Sequence, residues 1–410
     1  MFLLKRAIAR NMFIMLLAGS IAGFSLSGAF YTAAAAEPDK VYVQPERPEI
    51  PNLVVSADDK LPKLTARSAV VMDAVTGKIL YERDMHARRY PASTTKIMTL
   101  IIALEKGNLD DVITVSNNAA GVEGSTLWLE AGDKIPLGEL LSGMMMHSGN
   151  DATVAVAEHI AGSVPAFAEL MNKKALELGA YETNFVNANG LPDDNHYTTA
   201  HDLALIAAYG YSLPHFADIV GTQEATYDWV KDPAKKLRNE NQMLWLYRGA
   251  NGVKTGYTEK AGRCLVSGAK RDGMQLIAVV LDSYFMWNDS IALLDYGFQQ
   301  VTPEKLAVKG EIITKAAVAD GSKREVPLIA ADDLIAARII NNSAKISKKI
   351  AVPDKLTAPI KKGDVVGKLV CYYDGEEKSS VALVAAEDVT YRTWFMSLKE
   401  WIADFLKGWV

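Results

Sequence analysis

The hydrophobic pattern changes texture several times along the chain. Met12 to Phe30 is almost free of charge, follows Lys5, Arg6 and Arg10, and is closed by Ala34-Ala35-Ala36. A basic start, an apolar run and a small-residue site read as an export signal over residues 1–36, with Glu37 as the expected mature start. The run is also long enough to cross a bilayer, so an uncleaved anchor stays open. Either reading places the remainder outside the cytoplasm. Residues 37–64 hold Pro38, Pro45, Pro48, Pro51 and Pro62 with little periodicity, which predicts an extended linker.

Between residues 65 and 300 the pattern is strands, then helices, then strands. Ser68 to Met72 and Lys78 to Tyr81 are short apolar runs joined by a turn at Thr76-Gly77, a predicted hairpin. Arg263 to Ser267 and Met274 to Leu281 flank Arg271-Asp272-Gly273 and predict a second one. Within that frame Ile97, Leu100, Ile101 and Leu104 recur at helical spacing over Ser93–Lys106, which stops at Gly107. Leu137–Met146 and Thr153–Ile160 predict two further helices. Thr199-Ala200-His201-Asp202 resembles a capping box ahead of Leu203–Tyr209, with Asp in place of Glu. Strands from both ends of one segment, with helices between, imply an α+β fold: one antiparallel sheet covered by helices.

From 303 to 390 short β-branched runs alternate with Gly and Pro turns, for instance at Glu311–Ile313, Lys349–Val352 and Val381–Val384, and predict a small all-β domain. Over residues 391–410 the pattern turns helical again. Trp394, Phe395, Leu398, Trp401, Ile402, Phe405, Leu406 and Trp409 share one face, and Lys399, Glu400, Asp404 and Lys407 take the others. The charges argue against a spanning helix. A helix lying on a membrane surface is the favoured expectation, and one docked on its own β-domain is the alternative.

Composition narrows the function. Hydrophobic residues make up 49% of the 410 and charged residues 23%, both ordinary for a globular protein. The net charge of -5, without a basic stripe, makes nucleic acid a poor partner. Two cysteines, Cys264 and Cys371, fall in different predicted domains, so a disulfide between them is not expected.

Candidate chemistry begins at Ser93-Thr94-Thr95-Lys96. Positions i and i+3 of a helix share a face, and a serine hydroxyl needs a base to become nucleophilic. A lysine serves once its pKa falls from about 10.4 toward neutrality, and a second ammonium nearby, for which Lys254 is the candidate, pushes in that direction. The spacing alone is weak: Ser267-Gly268-Ala269-Lys270 has it too, in a predicted strand whose i and i+3 residues face opposite ways. Two further pieces add weight. Ser148-Gly149-Asn150 falls between two predicted helices, and Lys254-Thr255-Gly256 lies in a predicted strand. The order Ser-x-x-Lys, Ser-x-Asn, Lys-Thr-Gly is that of the penicillin-recognising serine enzymes.

On these residues the chain resembles the D-alanyl-D-alanine carboxypeptidases, the low-molecular-weight penicillin-binding proteins. Tyr90-Pro91-Ala92-Ser93, Met145 to Asp151, Thr183-Asn184-Phe185, Asn189-Gly190-Leu191, Tyr197 to Leu203 and Gly252 to Thr258 carry the likeness. It covers residues 65–300 tightly and the two C-terminal segments loosely. The resemblance implies a β-lactamase/transpeptidase-like fold and removal of the terminal D-alanine from peptidoglycan stem peptides through an acyl-serine. It implies Ser93 as nucleophile, Lys96 as base and Ser148 as proton relay. Asn150 would hold Lys96 and the substrate backbone, and Lys254 and Thr255 the terminal carboxylate, on the strand that continues to Gly256 and Tyr257. The N–H groups of Ser93 and Tyr257 would form the oxyanion hole. It further implies acylation by β-lactams, no cofactor or metal, and residence at the periplasmic face of the cytoplasmic membrane. One departure stands out: Asp282-Ser283-Tyr284-Phe285-Met286 lacks the arginine with which many relatives grip the carboxylate.

Other schemes fit less well. His147-Ser148 and His201-Asp202 suggest a Ser-His-Asp triad, yet no Gly-x-Ser-x-Gly elbow occurs, and no His-Glu-x-x-His appears among the six histidines. A β-lactamase is the alternative within the same chemistry, opposed by the extra β-domain and Ser-Gly-Asn in place of Ser-Asp-Asn. A catalytically silent protein that binds wall peptide is the alternative from another class.

Overall fold

The computed structural model describes residues 61–340 and 345–394. The export signal, most of the linker and nearly all of the terminal amphipathic helix lie outside the described residues.

A five-stranded antiparallel sheet organises the first domain. Its strands are β1 (Ser68–Asp73), β2 (Ile79–Arg83), β3 (Ala250–Thr258), β4 (Gly262–Arg271) and β5 (Met274–Ser283), in the order β2-β1-β5-β4-β3. The two predicted hairpins join across β1 and β5, with Ala69 opposite Val280 and Val71 opposite Ala278. Both faces are covered. Val70, Met72, Ile277 and Val279 belong to one core, and Ala69, Val71, Ala278 and Val280 to the other. That double burial explains why β1 reads as an uninterrupted apolar run and not as an alternation.

Helices α1 (Lys96–Lys106), α2 (Leu137–His147), α3 (Asn150–Ala161), α4 (Val164–Glu177) and α5 (Ala200–Gly210) lie between β2 and β3 in the chain, and α6 (Met286–Gln299) packs on the opposite face. The spacing at Ser93–Lys106 predicts one apolar stripe. In the structure α1 is buried nearly all round, Met98, Thr99 and Ile102 included, so it is the central helix of the domain. The capping box is half formed. Thr199 Oγ1 accepts from the Asp202 N–H at 3.1 Å, but the Asp202 carboxylate turns away to accept from Glu182 N–H and Thr183 Oγ1.

The second domain is all-β, as expected. Strands β6 (Val301–Ala307), β7 (Ile312–Ala319), β8 (Glu325–Ala330), β9 (Leu334–Ile339), β10 (Ile346–Ala351), β11 (Lys355–Thr357), β12 (Val365–Tyr373) and β13 (Glu376–Ala385) form a β6–β9 ribbon and a sheet ordered β10-β12-β13-β8-β7-β11. The ribbon reaches back to the first domain: Ile335 and Ala337 share a core with α6, and the Ala337 N–H points to the buried Asp73 carboxylate at 3.4 Å. Cys264 and Cys371 are buried in separate cores. Among the described residues no single helix is long and apolar enough to cross a membrane.

Candidate active site

The turn that carries Ser93 is held from two sides. Ala92–Thr95 is a 3-10 helix leading into α1, not the first turn of an α-helix. The difference matters, because a 3-10 turn eclipses side chains at i and i+3. Lys96 Nζ accordingly lies 3.0 Å from Ser93 Oγ. Ala92 adopts φ 47, a conformation that non-glycine residues avoid, so the neighbours must impose it. Gly190 presses on its carbonyl: a Cβ built at 190 would stand 1.9 Å from Ala92 O, at a φ of +91. Gly256 on β3 lies against the other side, where a Cβ would meet Ser93 N at 3.0 Å and Pro91 O at 3.1 Å. Only glycine lets both segments approach so closely.

Lys96 is fully buried and has three polar neighbours. Besides Ser93 these are Asn150 Oδ1 and the Asn189 carbonyl, each at 2.8 Å. Counting protons assigns their roles. A neutral amine has two N–H groups and one lone pair, and two of the neighbours are carbonyl oxygens that can only accept. In the neutral amine they take both N–H groups and leave the lone pair for the Ser93 hydroxyl proton, whereas the charged ammonium donates to Ser93 Oγ as well. Burial lowers the Lys96 pKa well below the ordinary lysine range. The Lys254 ammonium lowers it further, and the Glu240 and Asp151 carboxylates oppose both. The sequence suggests a second cation as the cause; in the structure desolvation comes first and the cation second.

Of the remaining motif residues, Asn150 bonds to Lys96, Lys254 acts on it electrostatically and Gly256 lies against Ser93. Ser148 caps α2 in the left-handed conformation, φ 63, and is buried in the break before α3. Asn150 opens α3; its Nδ2 donates to Glu123 O at 2.7 Å, which fixes Oδ1 toward Lys96. Asp151 next to it is buried and accepts from Thr126 Oγ1 and from the Leu127 and Leu129 N–H groups, bracing the loop over Asn150. Lys254 and Thr255 sit on β3, both buried, with Nζ and Oγ1 3.4 Å apart. Burial brings the Lys254 pKa down to about 8, and Glu240 works against that fall. Around pH 7 Lys254 is therefore still charged. Burial lowers both lysines, but only Lys96 has a neighbouring ammonium acting in the same direction. Gly256 and Tyr257 continue β3 past Ser93, and Tyr257 is exposed.

Three contributors carried no role in the sequence. The first is Asn189, whose side chain is irrelevant to Lys96 because its backbone carbonyl makes the contact. The second is His196, buried beside α1. The Val186 N–H donates to its Nδ1 at 3.1 Å, so Nε2 carries the proton and donates to Thr95 Oγ1 at 2.8 Å. Burial holds its pKa down to about 4, so the ring stays neutral. With Thr99 Oγ1 donating to Ala188 O at 2.6 Å, this bond pins the 184–198 loop to α1 and sets the Asn189 carbonyl. The third is Glu240, a carboxylate near both lysines. His147, a candidate for a triad, ends α2 and lies 3.9 Å from Glu240, and His201 contacts Asp202 far from Ser93 in the chain.

Comparison with known proteins shows the family. Residues 55–284 match the D-alanyl-D-alanine carboxypeptidase family, and residues 302–391 match the penicillin-binding protein 5 C-terminal domain. The chain belongs to the D-alanyl-D-alanine carboxypeptidase family. It is 35% identical over 354 residues to the D-alanyl-D-alanine carboxypeptidase DacF of Bacillus subtilis, covering 83% of this chain and 90% of that one. It is 34% identical to DacA of Haemophilus influenzae, covering 86% and 94%. Among solved structures, penicillin binding protein 5 of Haemophilus influenzae superposes with a TM-score of 0.57 at 34% identity, over 80% of this chain and 98% of that one. The PBP3 peptidoglycan synthesis regulatory factor of Streptococcus pneumoniae gives 0.59 at 29% identity, over 80% and 100%. The protein is thus a serine-type D-alanyl-D-alanine carboxypeptidase with a penicillin-binding-protein fold and an all-β second domain.

Proposed function

We propose that Ser93 is the acylated residue, that neutral Lys96 takes its proton, and that Lys254 and Thr255 receive the terminal carboxylate of a stem peptide. What supports this most is the arrangement at Lys96, where two acceptors leave one lone pair for one hydroxyl. Among the described residues β3 is an edge strand, and one side of its backbone has no strand partner there. An extended peptide adding along it would gain ladder hydrogen bonds while its carbonyl carbon meets Ser93. The N–H groups of Ser93 and Tyr257 would take the developing oxyanion, where removing a donor typically costs about 10²-fold or more in rate. Ser148 and Asn150 would carry the proton to the departing amine and hold the peptide. Water then releases the acyl group.

β-lactams, which offer a strained amide beside a carboxylate, would acylate Ser93 by the same route. The basic, apolar and small-residue order of the first 36 residues supports export to the periplasm, and the apolar face of 391–410 supports attachment to the outer surface of the cytoplasmic membrane. Incubation with a pentapeptide ending in D-Ala-D-Ala is expected to release one D-alanine from the wild type and none from Ser93→Ala. Release by the Ser93→Ala variant would refute the assignment.

A further inference from the structure

A charged pocket beyond the end of β3 takes no part in the chemistry above. It encloses about 450 Å³. One wall is Tyr90, on the segment leading into Ser93; another is Lys260 with Ala261, in the turn after β3. Its charged lining is Arg67, Arg88, Arg89 and Lys260 against Asp194 and Asp282, an excess of two positive charges. Two of the cations are already paired. Lys260 holds Asp194 at 2.8 Å, where Tyr90 Oη also donates, and Arg67 holds Asp282 at 3.1 Å. The other two are not. The Arg88 guanidinium carbon lies over the Tyr197 ring, 4.3 Å from its centre, and Arg89 Nε donates to Ser68 Oγ at 3.0 Å; neither has a carboxylate partner among the described residues. Both guanidiniums are held in place by contacts that leave their charge unbalanced.

The direction of the substrate brings it here. This step rests on the proposed role of Lys254 and Thr255. With the terminal carboxylate at 254–255 and the carbonyl carbon at Ser93 beside Gly256, the acyl portion must leave toward Tyr257, Thr258 and the turn at Lys260. Lys260 is four residues beyond Gly256, so at about 3.3 Å per strand residue the pocket wall lies at most about 13 Å from the scissile carbonyl, within reach of an extended stem peptide. We propose that this pocket is a subsite for a free carboxylate on the stem peptide, carried by a residue upstream of the penultimate D-alanine and met by the Arg88 and Arg89 guanidiniums. A planar guanidinium fixed on an aromatic ring keeps its N–H edge available, the geometry that takes a carboxylate with two parallel bonds.

A matched pair of peptides tests it: N-acetyl-L-Ala-γ-D-Glu-L-Lys-D-Ala-D-Ala and the same peptide with the glutamate α-carboxylate amidated. The wild type is expected to show kcat/KM about fivefold to tenfold higher for the free acid, a preference that shrinks as salt rises. Arg88→Gln should reduce that preference and Arg88→Gln/Arg89→Gln abolish it, with rates for the amidated peptide and for fluorescent-penicillin acylation as in the wild type. Equal turnover of both peptides by the wild type would overturn the subsite, as would an unchanged preference in the exposed Arg88→Gln variant. A wild type that fails to react with the penicillin would instead refute the Ser93 assignment on which the subsite rests.

Discussion

The two walls of the cleft are built differently. On the helix wall every polar atom of the catalytic pair is already engaged: Lys96 bonds to Asn150 Oδ1 and Asn189 O, and Asn150 bonds on to Glu123 O. On the strand wall, among the described residues, buried Lys254 has a long contact to Thr255 Oγ1 and β3 has an unpaired edge. The helix wall is organised without substrate; under the proposed function the strand wall would be completed by the substrate's carboxylate and backbone. Preorganised hydrogen bonds suit the group that moves a proton, since no rearrangement is then needed at the moment of reaction.

Substitutions on the two walls should therefore fail in different ways. Lys96→Ala removes the base and is expected to slow acylation by fluorescent penicillin by about 10³-fold, within the range for general bases. Lys254→Ala should lower kcat/KM for the peptide by about 10²-fold, the loss of one charge-assisted contact. Amidating the peptide's C-terminus should hurt the wild type and leave Lys254→Ala little changed. Equal sensitivity of both proteins would erase the distinction between the walls.

Gly190→Ala comes next. Its methyl group would overlap Ala92 O at 1.9 Å with a backbone at φ +91, so the Ser93 turn must shift. We expect acylation to fall by about 10²-fold, as when a reacting group is displaced by about 1 Å. Wild-type acylation by Gly190→Ala would show that the turn does not depend on this loop.

His196→Phe should have a smaller effect that separates positioning from stability. Without its bonds to Val186 and Thr95 the loop loosens and water reaches Lys96. Because burial is the largest cause of the low Lys96 pKa, that pKa rises and the acid limb of the acylation profile moves to higher pH. The rate near neutrality should drop by about tenfold. Lys254, Glu240 and Asp151, the charged groups acting on Lys96, are unchanged in this variant, and Asp193 is the one acting on His196. His196→Gln, able to accept from one partner and donate to the other, should recover most of it. A lower melting temperature with an unmoved acid limb would reduce His196 to a structural residue.

The smallest effect is expected at Glu240. Its carboxylate raises the Lys254 pKa, so Glu240→Gln lets that pKa fall below about 8. The ammonium is then lost at lower pH, and KM for the peptide should begin to rise earlier on the alkaline side. An alkaline limb that stays in place would show that Glu240 is too exposed to act.

Much of this was legible in sequence because it was carried by side-chain identity. Ser93, Lys96, Ser148, Asn150, Lys254 and Thr255 are motif residues, and their elements, two hairpins and the helices between, follow from apolar period and turn chemistry. The residues that escaped act through other means. Asn189 contributes a backbone carbonyl, Gly190 an absence of side chain, and His196 a neutral ring whose partners come from Val186 and Thr95. Their positions depend on how a loop folds back on α1, for which hydrophobic period has no signal. The 3-10 start of α1 was missed for the same reason: Ala92 is driven to φ 47 by neighbours from distant parts of the chain. The all-β domain was legible as a texture but not in strand order, which interleaves β8 between β7 and β13.

The protonation of Lys96 can be read directly. In protein labelled with ¹³C at lysine Cε, with the Lys96 signal assigned through Lys96→Arg, its chemical shift should titrate with a midpoint well below that of the surface lysines, so that the amine is neutral at working pH. A Lys96 signal that titrates along with the surface lysines would leave Ser93 without a base.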